Sequence, residues 1–170
     1  MHQVEAGTLD MGLGVFLEHL HGVRRTPLFR FPLVVIRPDN DPAFRRATTT
    51  WSALKGEKLI SLPASLPLQQ LIDKHLVRAG VLSEPNLVLN YLNTQVAMVE
   101  AGEGVAIIPS FEQLTCQNRK VVMSQLINPV VKLDLSQIRH AGRKLPPVAE
   151  EFTSFLQSYS ARWAGRSGVL

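Results

Sequence analysis

An internal disulfide is closed to this chain, because Cys116 is its only cysteine in 170 residues. No internal bridge and no Cys-x-x-Cys metal or redox motif can form. A buried, inert thiol is the expected role for it, and such sparing cysteine usage suits a reducing cytoplasm. No stretch approaches the ~20 apolar residues of a membrane helix. The first residues, Met1-His-Gln-Val-Glu5, have no basic segment leading into an apolar run, so no secretory signal is read there. The expected setting is therefore cytoplasmic, away from the membrane. Catalytic signatures are missing too: there is no G-x-S-x-G elbow, no HExxH and no P-loop. Gly102-Glu-Gly104 precedes its strand instead of following one, and Ile107 stands where a dinucleotide fingerprint needs its third glycine. His19 and His21 form the only close histidine pair, without a third ligand nearby. Glu100 and Glu103 read as helix-end surface carboxylates. No catalytic residue, metal or cofactor is expected.

What the chain does have is core material: 45% of its residues are hydrophobic, enough for one domain or two small lobes. Charge is uneven. Residues 1–118 hold ten Lys/Arg against eleven Asp/Glu, and residues 119–170 hold eight against three. The late basic residues (Arg119, Lys132, Arg139, Arg143, Arg162) sit singly, with no aromatic interleaving, and read as a solvated surface more readily than as a nucleic-acid face.

Residues 87–109, LVLNYLNTQVAMVEAGEGVAIIP, carry the architecture. An apolar strand at 87–89 leads into a helix that Asn93 or Thr94 is placed to cap. Gly102 suits the left-handed position after the helix, and 105–108 is a buried strand ended by Pro109. Such a β-α-β unit has parallel strands. Elsewhere Val4-Glu-Ala-Gly7 reads as a helix end, with strands at 9–15, 33–37, 58–62, 120–124 and 130–138. A short helical turn is expected at 51–56, and a turn at Asn40-Asp-Pro42. A helix from Pro63-Ala-Ser65 to Ala79 presents Leu68, Leu71, Ile72, Leu76 and Ala79 as a stripe, with His75 at the core edge. Pro146-Pro147 opens a last helix whose apolar face is Val148, Phe152, Phe155, Leu156, Tyr159 and Trp163. The alternation predicts an α/β fold with mainly parallel sheet. The strands at 33–37 and 105–109 read as hinges between a lobe at 38–108 and a discontinuous lobe at 1–32 and 109–165, with 166–170 as a tail.

Ligands of open α/β sheets sit beyond the carboxyl ends of strands. Two helix starts meet that description, Ser65-Leu66-Pro67 and Leu92-Asn93-Thr94. Unpaired N–H groups and the positive end of the helix dipole favour an anion at each. Capping of their own helices accounts for Ser65, Asn93 and Thr94 equally well. From the other lobe, Gly12-Leu13-Gly14 and Ser110-Phe111 are expected to face the same cleft, with strand-end packing as the competing account.

The motifs Val4-Glu-Ala-Gly-Thr-Leu-Asp-Met-Gly12, Phe31-Pro-Leu-Val-Val-Ile-Arg-Pro38 with Asp41-Pro42, Trp51-Ser-Ala-Leu-Lys-Gly56, the 59–65 strand-loop, Val99-Glu-Ala-Gly-Glu-Gly-Val-Ala-Ile-Ile-Pro109 and Arg143-Lys-Leu-Pro-Pro147 follow one another in order. Together they resemble the effector-binding domain of LysR-type transcriptional regulators, to about residue 160. The resemblance implies a two-lobed, type 2 periplasmic-binding-protein-like fold that senses a small effector in a cleft between its lobes, and the two helix starts favour a small carboxylate or similar anion there. It also implies a homo-oligomer. The family's helix-turn-helix and the opening strand-helix-strand of its first lobe have no counterpart here, so that lobe is expected to be incomplete and DNA to be contacted only through the absent domain. A free-standing solute-binding protein of the same fold is the alternative, and an enzyme on this scaffold a third.

Overall fold

The computed structural model describes residues 2–17, 21–41, 46–82 and 84–164, with side chains to residue 162. His19 of the histidine pair, Pro42 of the expected turn, the side chain of Trp163 and the 166–170 tail lie outside the described residues. The chain forms two compact units, Phe31–Lys132 and, separately, Met1–Arg30 with Leu133–Leu170.

In the middle unit the strands are the second half of β2 (Val23–Pro38), β3 (Thr48–Thr50), β4 (Leu59–Ser61), β5 (Leu87–Val88), β6 (Val105–Pro109) and β7 (Val121–Ile127). Helix α2 (Pro67–Arg78) connects β4 to β5, and α3 (Leu92–Glu100) connects β5 to β6. β4 lies between β5 and β6, parallel to both. β2 is antiparallel to β6 and to β7, and β3 is parallel to β7. The sheet is thus mixed, which corrects the expectation of a mainly parallel one. Helical crossovers make β4, β5 and β6 parallel, whereas β2 pairs antiparallel with both β6 and β7. This unit also reaches beyond 38–108 at both ends, because β7 takes its place in the ladder beside β2.

Val34, Ile36, Ile60, Val96, Val99, Ala106 and Ile108 form one buried cluster, so α3 presses its Val96 and Val99 side onto β2, β4 and β6. Every residue of β6 is buried, as its unbroken apolar run requires. Arg37, also buried, donates from Nη1 to Asp41 Oδ2 at 3.2 Å and to Glu57 Oε1 at 2.8 Å. That double ion pair fastens the far end of β2 to the turn before β4.

A short 3₁₀ turn, Trp51–Leu54, sets Trp51 against His75 of α2, with ring centroids 5.0 Å apart. Burial, then the charges of Arg78 and Lys74, hold the His75 imidazole below its usual pKa. The unfolded chain therefore takes up this proton first as pH falls, near pH ~6.5, and the folded state loses stability below that value. His75→Gln is expected to flatten the decline in urea midpoint between pH 7 and pH 5. A variant that declines as steeply as the native chain would show that other groups carry it.

The other unit holds α1 (His2–Glu5), β1 (Met11–Val15), the first half of β2, β8 (Lys132–His140) and α5 (Pro147–Ala164). β1 is antiparallel to β8, which also neighbours β2. The early part of β2, Arg24 to Phe31, carries no apolar alternation and escapes sequence reading as a strand. It is held in place by cross-strand pairs: Arg30 grips Asp134 through two hydrogen bonds, 2.6 and 3.1 Å, and Arg25 Nε donates to Ser136 Oγ at 2.9 Å. Gln137 Nε2 donates to Thr153 Oγ1 of α5 at 2.7 Å. The apolar side of α5 stays largely open, Val148 at 73% and Phe155 at 55% exposed, and Leu9 and Leu13 beside β1 are exposed too.

Candidate ligand site

Because β4, β5 and β6 run parallel, their carboxyl ends share one edge of the middle unit. Ser65-Leu66-Pro67 follows β4, Leu92-Asn93-Thr94 follows β5, and Ser110-Phe111 follows β6. Three of the four expected segments therefore leave the sheet on the same side. The fourth, Gly12-Leu13-Gly14, belongs to the other unit and lies within β1, where its residues pair with Ile138, Gln137 and Ser136. It is not a strand end. A Cβ on Gly12 would come within 3.2 Å of Ile138, and one on Gly14 within 3.2 Å of the Phe16 ring, so the close approaches these glycines permit are to their own unit's side chains.

The two helix starts differ from the capping expected of them. α2 begins with Pro67 after Leu66, and α3 with Leu92 after Tyr91; neither N-terminus has a side-chain cap. Asn93 and Thr94 sit inside the first turn of α3, not before it. Asn93 Oδ1 accepts the Thr94 N–H at 2.9 Å, while the first intrahelical bond runs from Gln95 N–H to Tyr91 O at 3.1 Å. The helix starts earlier than the cap rule suggests because Leu92 packs against the apolar cluster, and burial outweighs a cap worth about 1 kcal/mol. Uncapped first turns leave backbone N–H groups turned outward, the arrangement that binds anions.

Ser65 and Asn93 are exposed and Thr94 is half-buried. Ser110 is buried, and Phe111 meets Phe31 edge to face at 5.3 Å. The loop after β4 is braced from below: Leu62 N–H donates to Gln69 Oε1 at 2.9 Å, and Gln69 Nε2 donates to Asp73 Oδ1 at 2.7 Å. Gln69 and Gln95, both buried, were missed in the sequence. Their signal was there, since each interrupts the apolar side of its helix just past the start.

Among the described residues no group of three His, Cys, Asp or Glu is placed to hold a metal, and no helix is long and apolar enough to cross a membrane. Burial, then Glu112, pushes the Cys116 thiol up, which disfavours the reactive thiolate. Glu100, at the end of α3, is held low by the Lys120 N–H and by Arg119.

This is the fold of periplasmic-binding-protein-like regulatory domains. The Synechocystis PCC6803 CcmR regulatory domain in complex with 2-PG matches at a TM-score of 0.81 and 16% identity, over 94% of this chain and 77% of that one. The effector-binding domain of QuiR in complex with shikimate matches at 0.78 and 16%, over 95% and 76%. The chain belongs to the LysR substrate binding domain family, whose model matches residues 1–161. Among its relatives are two HTH-type transcriptional regulators. YbhD of Escherichia coli (strain K12) is 25% identical over 92% of this chain and 49% of its own length. YfeR of Shigella flexneri is 24% identical over 99% and 54%. The chain spans about half the length of these curated relatives.

Proposed function

We propose that this chain is the effector-sensing part of a LysR-type transcriptional regulator and that its middle unit takes a small carboxylate at the carboxyl ends of β4, β5 and β6. The observation that carries this reading is the pair of helices, α2 and α3, that start beyond one sheet edge without side-chain caps. Their dipoles, and the first-turn N–H groups other than that of Thr94, favour a single negative group. Ser65 and Thr94 add hydroxyl donors, while Leu66, at 37% exposed, and Phe111 offer apolar contact. Ligands named for two similar regulatory domains, 2-PG and shikimate, suit a site of this chemistry.

Sensing requires the effector to bind one conformation better than another. Operator contact then falls to the half of a regulator that this chain does not match, acting in the cytoplasm as a homo-oligomer. The test is a thermal-shift screen of small carboxylates against the full chain. A ligand at 100 times its Kd stabilises by about 2.7 kcal/mol, a shift of several degrees. Thr94→Ala is expected to reduce that shift for the best ligand without lowering the melting temperature of the free protein. Equal shifts in both proteins would remove Thr94 from the site.

A further inference from the structure

Gln95 is the fourth residue of α3 and only 1% exposed, yet its Oε1 has no hydrogen-bond partner. A buried amide oxygen left unpaired loses its hydration with no bond in return, and native proteins keep few such groups. Its neighbours on the helix, Val96 and Val99, are fully buried in the apolar cluster and gain nothing from a polar residue beside them. Helical side chains lean back toward the N-terminus, covering the turn before their own Cα. For Gln95 that is the Tyr91-Leu92 turn, at the start of the same nine-residue helix, which has no side-chain cap. A donor-rich helix start and an unpaired acceptor stand together, and they call for a ligand with both kinds of group.

We infer that Gln95 Oε1 accepts a hydrogen bond from the effector, so that the ligand is an anion bearing a hydroxyl or amine next to its charged group and not a bare carboxylate. Gln95 is then a specificity-determining residue. This rests on the reading of the β4, β5 and β6 edge as an anion site, and deepens it. A site built to bond a hydroxyl rejects an analogue lacking one, because its own polar group is left unpaired.

The experiment is calorimetric titration of the full chain with matched pairs, malate against succinate and lactate against propionate. The hydroxylated member is expected to bind at least tenfold tighter. In Gln95→Met, which keeps volume and removes the acceptor, the pair should converge to within about twofold, with the affinity for the unhydroxylated member retained. Comparison of each pair on the native chain does not depend on the variant folding. Equal affinities on the native chain, or a preference that survives in Gln95→Met, overturn the inference and leave the anion site standing. Failure of every pair to bind overturns both.

Discussion

Gly104→Ala is expected to lower the stability of the middle unit by about 3 kcal/mol, a large part of the 5–15 kcal/mol that holds an ordinary domain folded. Gly104 joins α3 to β6 at φ +153°, and a Cβ there would lie 2.2 Å from the Lys58 carbonyl oxygen. That oxygen cannot move aside. It accepts the Val105 N–H at 2.9 Å, one residue before β4 begins its ladder with β6 through Leu59 and Val105. Relief of the clash therefore means displacing β4 or β6, and every residue of β6 is buried. Gly102 is the built-in comparison. Its φ is +83° but nothing lies within 4 Å of the Cβ position, so Gly102→Ala should lose only the backbone term of about 1 kcal/mol. Urea denaturation followed by tryptophan emission separates the two. Equal midpoints for both variants would refute the packing argument.

Trp51→Ala is expected to be as damaging or worse, about 3–5 kcal/mol. Trp51 is 1% exposed, lies against the His75 ring and donates from Nε1 to the Pro129 carbonyl at 2.9 Å. One side chain thus ties the turn after β3 to α2 and to the segment after β7. Trp51→Phe keeps much of the ring contact and loses the hydrogen bond, so it should cost about 1–2 kcal/mol. A Phe variant as unstable as the Ala variant would mean that the indole N–H, and not the packing, dominates. Far-UV circular dichroism on heating gives the comparison without relying on the fluorescence of the residue removed.

Elements with a strong local signature are legible in the sequence. The buried run Val105–Pro109, the helix stop at Gly102 (φ +83°) and the stop at Gly80 (φ +73°) all obey short-range rules. The strands and helices around them fall within a few residues of expectation. The early half of β2 was not legible, because Arg24, Arg25 and Pro27 have neither alternation nor β propensity, while Arg25 and Arg30 are held by partners more than 100 positions away. Nor was the single hydroxyl line β3, Thr48–Thr50, whose strand character comes from lying beside β7. At the candidate site, the helix starts were found from sequence but their caps were misplaced. Leu92 is drawn into the core, a tertiary contact, and this moves the helix start ahead of Asn93.

By itself the sequence determined the β-α-β frame at 87–109, the family resemblance carried by the ordered motifs, and the impossibility of an internal disulfide. These follow from residue types and short spacings, which act through local backbone preference and the periodicity of burial. Only the tertiary structure decided that the sheet is mixed, that three expected segments leave it on one edge while Gly12-Leu13-Gly14 is spoken for inside β1, and that Gln95 is buried with an unpaired oxygen. Each of those depends on which strand lies beside which. Such pairings join residues far apart in the chain, and no local rule specifies them.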